Sequence, residues 1–116
     1  MPLAELTTDT VGRVVVARLD GEIDMSNAGE IGDALNRHVV NDSLGLVVDL
    51  TEVVYLDSAA IQVIFELREG LRTRGQLIRL VVVPGSAAAD TLRVAGVPAA
   101  IGVDETVAAA MRKISA

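Results

Sequence analysis

The chain has 116 residues, of which 51% are hydrophobic and only 2% aromatic, so its core must be aliphatic and it lacks the rings needed to stack on bases. Its formal net charge of -6 disfavours binding to nucleic acid or to an anionic membrane surface. The chain has no cysteine, which excludes a disulfide framework, a thiolate metal site and a cysteine nucleophile. His38 is the single histidine, so a catalytic dyad or metal cluster based on histidine would have to use it. We expect one cytoplasmic domain over residues 1–116, with no signal peptide, membrane insertion or cofactor.

The first half of the chain alternates between strands and helices. Residues 3–9 alternate weakly and predict an edge strand, and the β-branched run at residues 13–20 predicts a strong strand after a turn. Asn27 followed by Glu30 has the form of a capping box, and apolar residues then recur at helical spacing, which predicts the first helix. Residues 44–50 form a nearly continuous apolar run, as expected of a strand buried on both faces.

The second half continues the same alternation. An amphipathic pattern predicts a long helix over residues 58–74, and Gly75 is placed to end it in a left-handed cap. The remaining predicted elements are a strand at residues 77–83, a short helix at 86–94, a brief strand at 99–103 and a last helix with Asp104 as its N-cap. This order predicts an α/β fold with a mixed, mostly parallel sheet of four or five strands and about four helices.

The segment around Ser58 has the most chemical content. We predict that a buried strand ends near residue 50, that a loop follows, and that a helix opens at Asp57 and Ser58. Functional sites of open α/β sheets lie at the carboxyl ends of the strands. Unpaired N–H groups and the helix dipole would allow the start of this helix to accept a phosphate on Ser58. Taken locally, a simple capping role is the stronger interpretation, because Asp and Ser are common N-cap residues.

Two motifs together resemble the STAS family, which comprises the anti-sigma factor antagonists and related domains of sulfate transporters. The GEID motif at residues 21–24 follows a strand and precedes a helix, and the DSAAI motif at residues 57–61 opens the next helix after a VVDL strand. The resemblance spans nearly the whole chain and implies a STAS-like fold. It also implies that Ser58 matches the family's phosphorylated serine and that Asp24 matches its acidic residue near the site.

The chain departs from the family pattern, Asp-Ser-Ser/Thr-Gly followed by Leu or Ile, at two positions. Ala59 replaces the second hydroxyl residue and leaves Ser58 as the single acceptor in the motif. Ala60 replaces glycine, and its methyl group adds bulk where a kinase or partner backbone would approach, although alanine also favours the helix. The sequence leaves open whether Ala60 weakens phosphorylation or binding.

The resemblance implies a binding protein and not an enzyme. Unphosphorylated antagonists of this family bind an anti-sigma factor that is also a serine kinase, and binding frees a sigma factor for transcription. Phosphorylation of the serine ends the binding, and a phosphoserine phosphatase restores it. The partner-binding residues implied here are Asp24, Met25, Ser26, Asn27, Asp57, Ser58, Ala59, Ala60 and Gln62.

Two other functions remain open. A STAS-like adaptor without a phosphorylation cycle would regulate a transporter or a larger signalling assembly, and Ala60 gives this alternative some weight. A receiver domain phosphorylated on aspartate fits the length, with Asp57 after a buried strand. A receiver also needs an acidic pair after its first strand and a lysine after its last, whereas the single lysine, Lys113, lies in the predicted final helix. We therefore rank the receiver below the antagonist and the adaptor.

A basic cluster surrounds the end of the long predicted helix. It comprises Arg68, Arg72, Arg74 and Arg79. Pairing with Glu66 and Glu69 is the simplest role of these arginines, and a surface for an acidic partner is the alternative. In the first helix, His38 is expected to be a partly buried structural residue.

Overall fold

Five strands and four α-helices make up the computed structural model, which describes residues 4–115. The strands are β1 (Ala4–Val11), β2 (Val14–Ile23), β3 (Gly45–Leu56), β4 (Leu77–Val81) and β5 (Gly102–Asp104). The helices are α1 (Ala28–His38), α2 (Ser58–Arg72), α3 (Ala87–Val94) and α4 (Val107–Ser115), with a short 3-10 helix (Val97–Ala99) before β5. The predicted order of strands and helices is confirmed.

The strands lie in one sheet in the order β1-β2-β3-β4-β5. β1 is antiparallel to β2, and every later pair is parallel, which confirms the predicted mixed, mostly parallel sheet. Because β2, β3, β4 and β5 run in the same direction, their carboxyl ends lie at one edge of the sheet. The chain leaves β2 and β3 at this edge to enter α1 and α2.

The two faces of the sheet are covered unequally. On one face α1, α2 and α3 pack against alternate strand residues, and buried leucines such as Leu35, Leu67 and Leu92 belong to this larger core. On the other face α4 packs on the sheet, with Ala110 and Ile114 in a smaller core. Strands β3 and β4 therefore have both faces covered, which explains their continuous apolar runs.

The predicted loop before α2 is wrong, because β3 continues to Leu56. Thr51 lies inside the strand and donates from N and Oγ1 to Asp49 Oδ1, at 3.0 and 2.7 Å. Glu52 forms an ion pair of 3.0 Å with Arg18 of the neighbouring β2. Pairing with β2 keeps this polar part of the chain extended, and local sequence patterns do not reveal such pairing.

The pairing of β2 with β3 shifts register near its end. Gly21 pairs with Val53, but the next residue, Glu22, pairs with Tyr55, so β3 contains an extra residue there. Gly21 has φ +117°, a conformation that glycine adopts without strain. A bulge of this kind bends the strand and redirects its side chains. Val54, the extra residue, is 65% exposed, and the following Tyr55 is 50% exposed.

Two predicted helix starts need correction. Asn27 is the N-cap of α1 but makes no side-chain capping bond, so the predicted capping box does not form. Asp104 lies in β5, and α4 starts later, where Thr106 Oγ1 accepts a hydrogen bond of 3.1 Å from Ala109 N.

At the end of α2, Gly75 has φ +72°, as predicted for a left-handed cap. His38 is exposed, not partly buried.

Asp104 has a different structural role from the predicted cap. Its side chain is 1% exposed and accepts from Arg79 Nε and Lys113 Nζ, each at 2.6 Å. Burial alone would raise the pKa of Asp104, but the hydrogen bonds from the two cations outweigh it and hold the pKa below its ordinary value. The carboxylate thus links β4, β5 and α4.

Candidate functional site

The two sequence motifs meet at the carboxyl ends of β2 and β3. Ile23, the last residue of β2, pairs with Leu56, the last residue of β3. The backbone N–H of Asp57 donates to the carbonyl oxygen of Ile23 at 3.2 Å. This contact joins the start of α2 to the end of β2, so the turn that begins at Asp24 lies directly beside the first residues of α2.

The turn before α1 is held by its own polar groups. Asp24 Oδ1 accepts from the backbone N–H of Ser26 at 2.8 Å and also from its hydroxyl. Asn27 Oδ1 accepts from the N–H of Asp24, and Asn27 Nδ2 donates to the carbonyl oxygen of Glu22, both at 2.9 Å. The turn projects Met25, which is 83% exposed.

The start of α2 presents Ser58 on the surface. Asp57 is the N-cap, and its Oδ1 accepts from the N–H groups of Ala59 at 2.9 Å and Ala60 at 3.2 Å. Ser58 is exposed, and within residues 4–115 its hydroxyl makes no hydrogen bond. A hydroxyl that is accessible and unengaged can be modified without breaking any contact of the fold.

The capping bonds change the predicted electrostatics of this helix start. We expected several unpaired N–H groups to receive a phosphate, but Asp57 already accepts from two of them. The N–H of Ile61 is also used, because it donates to the carbonyl oxygen of Asp57 at 3.1 Å. A phosphate on Ser58 would therefore remain mainly in solvent beside a carboxylate. Its charge would be presented to an approaching protein instead of being absorbed by the helix.

The residues predicted to bind a partner are mostly brought together, with one exception. Ala60 is 2% exposed and lies in the larger core, so its methyl group faces inward and not towards a partner. The replacement of the family glycine therefore adds no bulk to the surface. Ala59 is half-buried, whereas Gln62 is exposed and donates to Glu66 at 3.1 Å.

A groove beside Ser58 adds residues that the sequence analysis missed. It has a volume of about 430 Å³ and lies between the start of α2 and α3. Ser58 and Ile61 line it from α2, and Asp90, Thr91 and Val94 line it from α3. Val94 is 80% exposed at the end of its helix. Its apolar side chain was visible in the sequence, but only the packing of α3 beside α2 brings it to Ser58.

No group of three or more His, Cys, Asp or Glu residues in the described part of the chain is arranged to hold a metal ion. None of the helices between residues 4 and 115 is both long enough and apolar enough to cross a bilayer.

Comparisons with known proteins agree with this geometry. The family model for the STAS domain matches residues 5–110. An anti-sigma factor antagonist from Mycobacterium paratuberculosis has a crystal structure with a TM-score of 0.87 and 20% identity, covering 97% of this chain and 95% of that chain. The phosphorylated form of SpoIIAA, a Bacillus cell fate determinant, has a TM-score of 0.67 and 16% identity, covering 95% and 99%.

A third similar structure is a sulfate transporter family protein from Wolinella succinogenes, with a TM-score of 0.71 and 17% identity, covering 92% of this chain and 88% of that chain. At identities this low, the structural matches show a common fold and not a common activity. Among curated protein sequences, none matches this chain significantly.

Proposed function

This chain belongs to the STAS domain family, and we propose that it is a cytoplasmic anti-sigma factor antagonist controlled by phosphorylation of Ser58. Unphosphorylated, it binds an anti-sigma factor that has serine kinase activity, and a sigma factor is released. The kinase then transfers the γ-phosphoryl group of its ATP to Ser58 Oγ, the hydroxyl loses its proton, and ADP leaves. A phosphoserine phosphatase restores the binding form. In this cycle the chain acts as a binding protein and substrate, not as an enzyme.

The observation that carries this proposal is the free hydroxyl of Ser58 at the start of α2. It is exposed, it is bounded by the Asp24 turn and the groove against α3, and its neighbour Asp57 occupies the nearby N–H groups. The structurally similar SpoIIAA has a phosphorylated form, which supports the same modification here. Together these features favour direct control, in which phosphorylation of Ser58 changes the charge of the surface that contacts the partner.

The loss of binding free energy on phosphorylation follows from the added charge. A phosphoserine adds about -1.5 to -2 charges near neutral pH. A partner whose surface fits Asp24, Asp57 and the neutral Ser58 would have to bury this charge without a matching cation, and an unpaired buried charge costs several kcal/mol. A loss of about 2.7 kcal/mol already weakens binding about a hundredfold. The switch therefore requires no large movement of the backbone.

The proposal is tested by measuring how single variants bind the anti-sigma factor recovered from the native cytosol. We expect wild type and Ser58→Ala to retain a kinase-fold anti-sigma factor and Ser58→Asp to bind it about a hundredfold more weakly. Ser115→Asp is the matched control, because it adds the same charge at an exposed serine in α4. Equal affinity for all four proteins would contradict the phosphorylation switch.

A second pair of variants tests whether the groove belongs to the same surface. Val94→Asp places a charge in the groove and is expected to weaken binding by about tenfold or more. Val40→Asp makes the same change at another exposed valine, one that follows α1 at the opposite end of the sheet, and should leave binding unchanged. If both variants bind like wild type, the partner surface does not extend to α3.

The adaptor function and the receiver function predict different chemistry. A STAS adaptor binds its partner equally with or without Ser58, and ATP plus that partner leaves the chain unmodified. A receiver carries an acyl phosphate that mild alkali removes, whereas a seryl phosphate survives acid. An acid-stable phosphate that disappears in Ser58→Ala would exclude both alternatives.

A further inference from the structure

A basic groove lies at the opposite end of α2 from Ser58, where β4 and β5 begin. Its volume is about 220 Å³, and three arginines line it: Arg68 and Arg72 from α2, and Arg79 from β4. The fourth arginine of the sequence cluster, Arg74, is not among its lining residues and donates to Asn36 of α1 at 2.9 Å. No carboxylate belongs to the residues that line this groove, although the whole chain has a net charge of -6.

The positive charge of this groove is only partly neutralised by its surroundings. Glu69 accepts from Arg72 at 3.2 and 3.3 Å and lies 3.5 Å from Arg68, so one carboxylate serves two cations. Hydrogen bonding and charge from Arg72 hold the pKa of Glu69 below its ordinary value. The carboxylate of Asp104 is likewise divided between Arg79 and Lys113. Four cations thus share two carboxylates, and positive charge remains for a ligand.

The position of Arg79 is fixed before any ligand binds. Its Nε and Nη2 donate to Asp104 at 2.6 and 3.3 Å, and the acceptor is fully buried. The guanidinium lies directly over Gly102, where a side-chain Cβ would collide with it. A cation held in this way loses little conformational freedom when it binds an anion, which favours binding.

The groove also has an exposed apolar side chain. Leu77 is 53% exposed at the start of β4, whereas Ile78 and Ile101, which line the groove beside it, are buried in the larger core. Surface ion pairs and a favourable interaction with the helix dipole explain Arg72 at the end of α2. The ion pair with Asp104 explains the position of Arg79, but none of these interactions explains why a leucine is exposed in the same groove.

We propose that this groove is a second docking site, and that it binds a segment of a partner protein in which carboxylate side chains stand next to aliphatic ones. Charge complementarity identifies the occupant, because an acidic segment is repelled by the chain as a whole and attracted only where arginines outnumber carboxylates. The aliphatic side chains would cover Leu77, which is 53% exposed.

The second site is independent of the state of Ser58. Helix α2 has 15 residues, so about 21 Å separates its two ends along the axis. Charges in solution are screened beyond about 8 Å at physiological ionic strength. A phosphate on Ser58 therefore leaves the basic groove unchanged, and a partner held there would stay attached when binding at Ser58 is lost.

The test is selection of short random peptides displayed on phage against the full chain. We expect enrichment of peptides that combine Asp or Glu with Leu, Ile or Val, and about tenfold weaker binding of these peptides to Arg72→Glu. The matched control is Arg74→Glu, which makes the same charge change two positions along but outside the groove, and it should bind like wild type. Arg72→Lys, which keeps the charge, should bind within about threefold of wild type.

Amide chemical shifts locate the peptide and exclude other ligands. A selected peptide should move the signals of Leu77, Ile101 and Gly102 equally in wild type and Ser58→Asp. Failure to enrich acidic peptides, equal binding by Arg72→Glu and Arg74→Glu, or shifts of these amides with inorganic phosphate alone would each overturn the proposal. Because no anti-sigma factor is used, these outcomes are independent of the proposed function at Ser58.

Discussion

The two ends of α2 carry opposite chemistry on one helix. At its start, Asp57 accepts from the free N–H groups and Ser58 is left exposed, in a surface whose fixed charges are acidic. At its end, Arg68 and Arg72 project into a groove without carboxylates. Between them, the buried face of the helix packs in the larger core. The comparison teaches that a rigid helix can carry two separate binding surfaces, because its charges act only over short distances in salt solution.

The two surfaces also differ in how they can be regulated. At the start of α2 a single covalent change at Ser58 alters the surface, because a phosphate there would add negative charge beside Asp57 and Asp90. At the other end Arg79 is tied into the sheet through buried Asp104, so this part of the surface cannot be changed without loosening the fold. A variable surface and a constant one thus lie on the same small domain.

The largest effect on the free energy of unfolding should come from removing the carboxylate of Asp104, which holds Arg79 at the basic groove. We expect Asp104→Asn to lower the free energy of unfolding by about 2 kcal/mol, because Arg79 and Lys113 both lose a charged acceptor. Because the folded pKa lies below the ordinary value of 3.8, this contribution is complete well above pH 3.8 and disappears as the pH falls below it. The difference between wild type and variant in urea unfolding should therefore shrink in acid.

A control separates this network from general charge effects. Asp33→Asn removes an exposed carboxylate of α1 and should change the free energy of unfolding by less than about 0.5 kcal/mol. If Asp104→Asn is no more destabilising than Asp33→Asn at neutral pH, the buried network does not stabilise the fold.

A smaller effect distinguishes the two neighbours at the start of α2. Asp57→Ala removes the accepting group of two helix N–H groups and should cost about 1 kcal/mol of unfolding free energy. Ser58→Ala removes a hydroxyl that the fold does not use and should cost less than about 0.5 kcal/mol. Thermal or urea unfolding of the two variants tests whether Asp57 caps the helix and Ser58 does not. If both variants lose the same unfolding free energy, Ser58 is itself a structural cap.

The smallest effect is the one that phosphorylation of Ser58 is expected to have on the amide chemical shifts at the far end of α2. Amide signals of Ile23, Asp57 and Ala59 should move when Ser58 is phosphorylated, because they surround the added charge. Signals of Arg72 and Gly102 should stay in place, since the backbone is not expected to rearrange. Spectra recorded before and after phosphorylation check this, and shifts spread across the whole sheet would show that the two surfaces are coupled.

Local patterns in the amino-acid sequence determined the order of strands and helices, the left-handed Gly75 that follows α2, and the position of Ser58 beside a helix cap. These features depend on periodicity, on capping chemistry and on the backbone freedom of glycine, which act within a few residues of the chain. The STAS motifs are also local, and they predicted the family. The family model, which matches residues 5–110, confirms this prediction.

Tertiary structure alone decided the features that involve distant residues. Pairing with β2 made a strand of the expected loop before α2, and Arg79 and Lys113 drew Asp104 into the interior. Packing of α2 turned Ala60 inward, and the meeting of α2 with α3 brought Val94 to Ser58. The physical reason is the same in each case: burial, strand register and ion pairing depend on which segments touch in space, and these contacts join residues far apart in the chain.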